Sequence, residues 1–313
     1  SVPLRAIIDE LRPRVVIAEF SVRISSTYAL ALRRLFHRGP PVLFWSHGYN
    51  MDRGFRRPKD LLIQAFRVAV AKCADGHIVY SEDGKRFLQR FMDAKRIFVA
   101  PNTLDMQEFK ALRQEMQAPA SSSAPSLLTL GRLTHDKDTV RLVRVFKRLL
   151  ASYPTAILTI IGDGPEAGAI RAEAGDLLGS SIRMAGALYD EALLAAHMMK
   201  ADIAVFPGAA GLSVNHVLAY GIPVMAYRRT ATGPFHHPEI DYVIDGVTGW
   251  QVGPYTDDAM LESLTDIFKG GETPKRRLGA RIDAYVDANL SIDSMVDGFR
   301  RAVDSVSASG GAS

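Results

Sequence analysis

Arg132 and Lys137 stand close together in Gly131-Arg-Leu-Thr-His-Asp-Lys137, directly after an apolar run. A planar guanidinium and a point-like ammonium so placed suit a diphosphate group. A second segment, Phe206-Pro-Gly-Ala-Ala-Gly-Leu-Ser-Val-Asn-His-Val-Leu-Ala-Tyr-Gly-Ile-Pro-Val224, reads as strand, Gly-rich loop, helix and strand. A loop of that kind turns backbone N–H groups outward at the positive end of a helix dipole, which favours a phosphate. A third, Ile160-Ile-Gly-Asp-Gly-Pro165, has the glycines of a tight turn, with Asp163 in the turn or as a cap. Each reads equally well alone as a surface loop or a plain turn. Three in one domain, each at a strand's C-terminal end, point to a phosphate-bearing ligand.

Positioning such loops requires alternating strands and helices. Short apolar runs predict strands at 15–20, 42–47, 76–81 and 96–101, then at 127–130, 156–161, 182–185, 203–207, 224–227 and 249–252. Helix-period segments predict helices at 3–11, 26–38, 59–73 and 83–91, then at 139–152, 164–174, 190–199 and 214–220, with an amphipathic tail at 291–306. In 59–73, Leu62, Phe66, Ala69 and Cys73 share one face, which reads as ordinary core packing. The pattern is α/β: two Rossmann-like, doubly wound domains. We expect an N-terminal domain over 1–118, a Pro/Ser-rich linker at 118–125, a C-terminal domain over 126–290, and a final helix with a disordered tail over 291–313. The first domain is the shorter and begins as if its first βαβ unit were missing.

Composition narrows the class. Hydrophobic residues make up 47% and charged residues 23% of the 313, the balance of a soluble globular protein. No apolar run reaches the ~18–20 residues that span a bilayer. Cys73 is the single cysteine, which excludes an internal disulfide and a cysteine metal site and fits a reducing cytosol. His236 and His237 have no third ligand at metal spacing, so no metal is expected. The net charge of +4 conceals an imbalance: residues 1–120 hold 20 Lys/Arg against 12 Asp/Glu, or +8, leaving −4 for the rest. Part of the excess, Arg53, Arg56, Arg57 and Lys59 beside Met51 and Phe55, suits a lipid diphosphate or an anionic membrane surface. Nucleic acid fits poorly, because no stacking aromatics interleave with the basic residues.

The order Gly131-Arg132…Lys137, Gly162-Asp-Gly-Pro165, Ala201-Asp202…Phe206-Pro207, Gly221-Ile-Pro-Val224 and Asp245-Gly-Val-Thr-Gly249 resembles the C-terminal domain of the group 1, family 4 glycosyltransferases of GT-B fold. The resemblance covers about residues 127–255 and continues more weakly before them. There Ser46-His-Gly48 looks like the family's acceptor-side histidine, and Tyr80-Ser-Glu82 and Pro101-Asn-Thr-Leu-Asp105 look like its closing strands.

The resemblance implies hexosyl transfer from a nucleotide-sugar donor such as a UDP-sugar to a carbohydrate or lipid-linked acceptor, with anomeric configuration retained. Polysaccharide or glycoconjugate assembly would be the setting. No cofactor or metal is implied, because cationic side chains take the metal's part. The enzyme would be cytoplasmic or peripheral at the inner face of the membrane. Arg132 and Lys137 would hold the diphosphate, and His47 would sit beside the sugar and the attacking hydroxyl. Gly131, Gly208, Gly211 and Leu212 would line the donor phosphates, and Ala185, Gly186 and Ala187 would flank the base. The family's two glutamates fall at Gly208 and His216, so neither carboxylate is present. His216 would still hydrogen-bond a ribose hydroxyl, and Glu239 or Asn215 would compensate, Glu239 as a sugar contact. Two other readings share the fold: a non-catalytic or truncated nucleotide-binding module, and a nucleotide-sugar epimerase.

Overall fold

A computed structural model describes residues 4–21, 24–36, 39–48, 58–116, 124–230 and 233–307. The chain opens with α1 (Leu4–Leu11), β1 (Val16–Glu19), α2 (Ser25–Leu35), β2 (Val42–Ser46), α3 (Pro58–Lys72), β3 (Gly76–Val79), α4 (Glu82–Leu88) and β4 (Ile97–Val99). It continues with α5 (Met106–Glu115), β5 (Ser126–Leu130), α6 (Thr139–Leu149), β6 (Ile157–Ile161), α7 (Ala167–Ala174), β7 (Ile182–Gly186), α8 (Glu191–Met198), β8 (Ile203–Phe206), α9 (Ser213–Ala219), β9 (Val224–Tyr227) and β10 (Gly249–Val252). Helices α10 (Asp257–Phe268), α11 (Pro274–Asn289) and α12 (Ile292–Ser307) follow. Two parallel sheets flanked by helices result, the α/β architecture expected.

Two compact units form: Ser1–Asn102 with Ile292–Ser313, and Thr103–Ser291. The division falls at 102/103, ahead of the linker expected at 118–125, of which 118–123 lie outside the described residues.

In unit 1 the sheet order is β1-β2-β3-β4, all parallel. One face packs Leu30, Ala31, Val42, Phe44, Val70 and Ala71 together. On the other, α12 lies against β3 and β4. Gly298 permits that approach, since a Cβ there would stand 2.3 Å from the Val99 carbonyl oxygen.

Two expectations fail in unit 1. The face of α3 assigned to the core points outward: Leu62, Phe66 and Ala69 are exposed, while Val68, Val70 and Ala71 fill the interior. The opposite side of the helix, with Val68, Val70 and Ala71, is the one that packs, and of the expected face only Cys73 at its end reaches the core. The proposed closing strands also end early. Strand β3 stops at Val79, and Ser81 caps α4 by accepting from the Gly84 amide (3.2 Å). Residues 101–105 are irregular, with Asp105 capping α5 through the Gln107 amide (3.1 Å).

Unit 2 has the order β10-β9-β8-β5-β6-β7, all parallel. The chain lays β5, β6 and β7 outward in one direction, then returns to the other side of β5 for β8. The strands β8 and β9 are buried along their whole length, as central parallel strands covered on both faces must be. Reversal of direction between β5 and β8 leaves a crevice at their C-terminal ends, where open α/β sheets bind ligands.

Candidate functional site

The loops after β5 and β8 meet at that crevice and are locked together. The Ala209 amide donates to the Asp136 carbonyl (2.8 Å), and Lys137 Nζ donates to the Ala209 carbonyl (2.7 Å). A Cβ on Gly208 would stand 2.1 Å from the Asp136 carbonyl oxygen and 2.5 Å from the Lys137 carbonyl carbon. Only glycine fits, which accounts for the carboxylate missing at this position. Burial lowers the Lys137 ammonium below the usual lysine pKa, while the Asp136 and Glu239 carboxylates oppose that shift. The cation is thus kept in a half-buried site by its neighbours rather than by water.

Arg132 lies exposed on the same rim, and among the described residues no carboxylate pairs with it. Gly131, Arg132, Lys137, Phe206, Pro207 and Ala209 line a shared pocket. The Gly162-Asp-Gly segment props the Arg132 loop from behind. A Cβ on Gly162 would stand 1.9 Å from the Gly131 carbonyl oxygen, and one on Gly164 would stand 2.4 Å from that of Leu133. The Gly131 amide donates to Ile161 (3.0 Å) and the Leu133 amide to Asp163 (2.9 Å). These glycines serve close packing, and Asp163 stays within its turn, accepting from the Gly164 amide (2.7 Å). Behind Lys137, Asp138 adopts a left-handed backbone (φ 49°). Tyr255 Oη (2.6 Å) and Arg141 Nε (2.6 Å) both donate to its carboxylate, and Arg141 Nη1 also reaches Asp257 (2.8 Å).

A histidine fixes the Gly-rich loop from the far side. The Ala210 amide donates to His236 Nδ1 (3.0 Å), so Nδ1 is unprotonated, and Nε2 donates to the Tyr227 carbonyl (2.9 Å). Burial, aided by Arg229, pushes His236 down to about 3, which keeps the ring neutral. His237 follows, its amide donating to the Ala210 carbonyl (2.9 Å) and its ring packing beside Gly211. Glu239 is 3% exposed and near enough to Lys137 to act on its charge. Among the described residues the Gly211 and Leu212 amides donate to no backbone or side-chain acceptor.

The α8 and α9 side of the crevice is built from side chains. His216 Nε2 donates to Glu191 Oε1 (2.7 Å), and Tyr220 Oη donates to the same oxygen (2.8 Å). The Phe109 ring, carried by α5, covers the His216 ring with centroids 4.5 Å apart. Helix α5 is tied to α11 by Arg113 with Asp283 (2.6 Å) and Lys110 with Asp287. Burial and then Glu191 raise the Tyr220 hydroxyl well above the usual phenol range. A carboxylate therefore does stand beside position 216, but it comes from α8. The motif spacing could not reveal Glu191, because its partners lie 25 and 29 residues away.

The segment expected to flank a base ends β7. The Gly186 carbonyl there accepts from the Gly162 amide (2.8 Å), while Ala185 is half-buried and Ala187 exposed. Tyr189 of the same loop is 96% exposed.

His47 belongs to unit 1. It lies exposed at the C-terminal end of β2, its ring 4.9 Å from that of Tyr80. Its backbone is pinned by two glycines. A Cβ on Gly84 would stand 2.8 Å from the His47 carbonyl oxygen, and one on Gly48 (φ 83°) would stand 2.8 Å from that of Gly84. The structure thus gathers Gly131, Arg132, Lys137, Gly208, Gly211, Leu212 and Glu239 in unit 2, and holds His47 within its own unit. The basic cluster at Arg53, Arg56 and Arg57 lies outside the described residues, as does the Lys59 side chain.

Residues 113–280 match the family model of glycosyl transferases group 1, and residues 1–108 match that of glycosyltransferase family 4. No curated protein matches the chain in sequence. Solved structures with a similar fold include a TarM mutant from S. aureus in complex with fondaparinux, alpha-GlcNAc-glycerol and UDP (14% identity, TM-score 0.62), covering 88% of this chain and 53% of that one. Another is HepE from Anabaena in complex with UDP (15%, TM-score 0.67, 96% and 81%). A third is sucrose-phosphate synthase from Thermosynechococcus elongatus (18%, TM-score 0.66, 97% and 76%). The chain thus spans about half the length of TarM.

Proposed function

Because the chain belongs to the group 1 glycosyltransferases, we propose that it transfers a sugar from a nucleoside diphosphate sugar to a hydroxyl of a carbohydrate or lipid-linked acceptor. The observation that carries this reading is the locked pair of loops at the β5/β8 switch point, with Lys137 built into the lock and Arg132 uncommitted beside it.

In the reaction the bond from the anomeric carbon to the diphosphate oxygen breaks, and the leaving diphosphate gains negative charge. Arg132 and Lys137 stabilise that charge from fixed positions, where little reorganisation is needed at the moment of reaction. The Gly211 and Leu212 amides add donors. The acceptor oxygen forms the new bond to the anomeric carbon and gives up its proton to the departing diphosphate oxygen. His47 of unit 1 acts on the acceptor side, and retention of configuration follows the family resemblance. Glu239 contacts the donor sugar from beside Lys137. Glu191, oriented by His216 and Tyr220, meets the ribose hydroxyls in place of a carboxylate on α9. Uridine is the base we favour, since both TarM and HepE were captured with UDP. The two cations do the work of a metal, so chelators should leave turnover unchanged.

A screen of nucleotide sugars with released nucleotide as readout tests the reading, and NMR of the product's anomeric coupling tests retention. Transfer or slow donor hydrolysis that falls at least about a hundredfold in a Lys137→Ala variant is expected. A folded protein that turns over no donor, or that isomerises the donor sugar without an acceptor, would refute transfer.

A further inference from the structure

Asp138 stands between Lys137 and α6 in a left-handed backbone (φ 49°, ψ 36°). An aspartate just before a helix ordinarily turns its carboxylate to the first helical amides, and Asp138 caps none of them. Its Oδ2 accepts instead from Tyr255 Oη (2.6 Å) and Arg141 Nε (2.6 Å). The diverted side chain holds a backbone conformation that residues other than glycine adopt at a cost. Strain of that kind persists where the surrounding structure fixes it, and such places cluster at ligand sites. Here the residue next along the chain is Lys137.

The anchor runs on to the other wall of the crevice. The Tyr255 ring has the Arg141 guanidinium over it, 4.2 Å from the centroid, and meets the Tyr227 ring edge-on at 4.6 Å. Tyr227 is fully buried at the end of β9, its hydroxyl donating to the Thr256 carbonyl. Its own carbonyl accepts from His236 Nε2 (2.9 Å), and His236 Nδ1 accepts from the Ala210 amide of the Gly-rich loop (3.0 Å). The circuit closes where Lys137 Nζ donates to the Ala209 carbonyl (2.7 Å). Burial raises the Tyr227 hydroxyl to about 12, and burial with the Asp138 hydrogen bond raises that of Tyr255 above the usual phenol range, so both stay protonated donors. The loop that carries Lys137 and the loop that faces it therefore hang from one pair of tyrosines, all within unit 2.

We propose that Asp138, held by Tyr255 and Arg141, is a positioning residue that sets Lys137 against the Gly-rich loop to receive a diphosphate. The proposal rests on the reading of this crevice as the donor diphosphate site. Charge alone argues for the opposite effect: a carboxylate beside an anion site repels the anion, so its removal by itself tightens binding. Positioning and charge thus predict opposite signs.

Calorimetric titration of UDP into the full chain shows which one wins. Asp138→Gly removes the carboxylate and leaves the left-handed backbone accessible. UDP affinity should fall about tenfold, where charge alone gives a rise. Asp138→Asn also removes the charge, but it keeps an acceptor oxygen and tolerates the same backbone. Affinity should return to within about threefold of the wild type. Tyr255→Phe keeps both ring contacts and loses only the hydroxyl. A loss of about threefold or more there covers the case in which Asp138→Gly does not fold. In a Lys137→Ala background, Asp138→Gly should cost less than about twofold more, because the cation it positions is gone. Unchanged or tighter binding by Asp138→Gly, or equal losses with and without Lys137, would overturn the proposal while leaving the donor site standing. No UDP binding by the folded wild type would overturn the donor-site reading and the proposal with it.

Discussion

The two sides of the unit 2 crevice are made differently. The side formed by the loops after β5 and β8 is backbone against backbone: Gly208, Gly162 and Gly164 each occupy a place where a single added carbon would collide with a carbonyl oxygen. The side formed by α8 and α9 is side chain against side chain, with His216 and Tyr220 sharing one oxygen of Glu191 under the Phe109 ring. The first arrangement cannot be altered in parts, because every element of the lock is also its neighbour's wall. The second can. There Glu191 of α8 supplies a carboxylate beside His216 of α9 through side-chain hydrogen bonds alone. On the account proposed here, the rigid side takes the diphosphate, whose leaving is the chemistry, and the adaptable side takes the nucleoside, which differs among donors.

The sharpest way to break this contrast is to restore the absent glutamate on the rigid side. Gly208→Glu should cost about 3 kcal/mol, the upper end for overpacking, and lower the melting temperature by roughly 6–12 °C. Nucleotide binding should be lost with it; a variant that melts normally and binds more tightly would show that the lock yields. Next in size is Lys137→Ala, which removes a cation and leaves the Ala209 carbonyl without its donor. UDP affinity should drop about tenfold to a hundredfold with a modest fall in stability. On the adaptable side, Glu191→Gln should weaken UDP by roughly tenfold at most and remove the preference for UDP over its 2′-deoxy and 3′-deoxy forms. Unchanged hydroxyl discrimination would separate Glu191 from the ribose.

The smallest effect is that of pH. His236 is held down to about 3 in the folded state, below its unfolded value of ~6.5. Above pH 6.5 both states are neutral there and its contribution is complete. As pH falls towards 3, the unfolded chain gains the proton first, and stability declines by up to about 1.4 kcal/mol per unit. Buried His77, lowered to about 4, acts in the same sense in unit 1. Denaturant titrations at pH 7, 6 and 5 should show the loss, and His236→Asn should reduce it in unit 2.

Much of this architecture was legible in the residues. Buried parallel strands such as β8 and β9 are continuous apolar runs, and each of the ten strands among the described residues overlaps an expected one, although the edge strands β1 and β7 carry Glu19 and Arg183. Helices α5, α10 and α11 were not assigned, although each carries a cap: Asp105, Thr256 and Thr273 accept from amides two or three residues ahead. Periodicity misplaced α3, because a helix with two apolar faces does not reveal which one is buried. At the site, order and spacing pointed to Gly131, Arg132 and Lys137, which are local in sequence and line one pocket. Glu191 with His216, and His236 with Ala210, are joined only by tertiary packing across 25 or more residues. The sequence therefore marked where carboxylates were missing without showing that Glu191 stands beside His216.

On this reading the β5/β8 crevice binds a nucleoside diphosphate through cations held on its rim. Calorimetric titration of UDP into the wild-type chain and into Arg132→Ala tests it most directly, because Arg132 is exposed and has no partner whose loss would unsettle the fold among the described residues. Saturable binding by the wild type, at least about tenfold weaker binding by the variant, and the same melting temperature for both are expected. No binding by the folded wild type, or equal affinity in the two proteins, would contradict it.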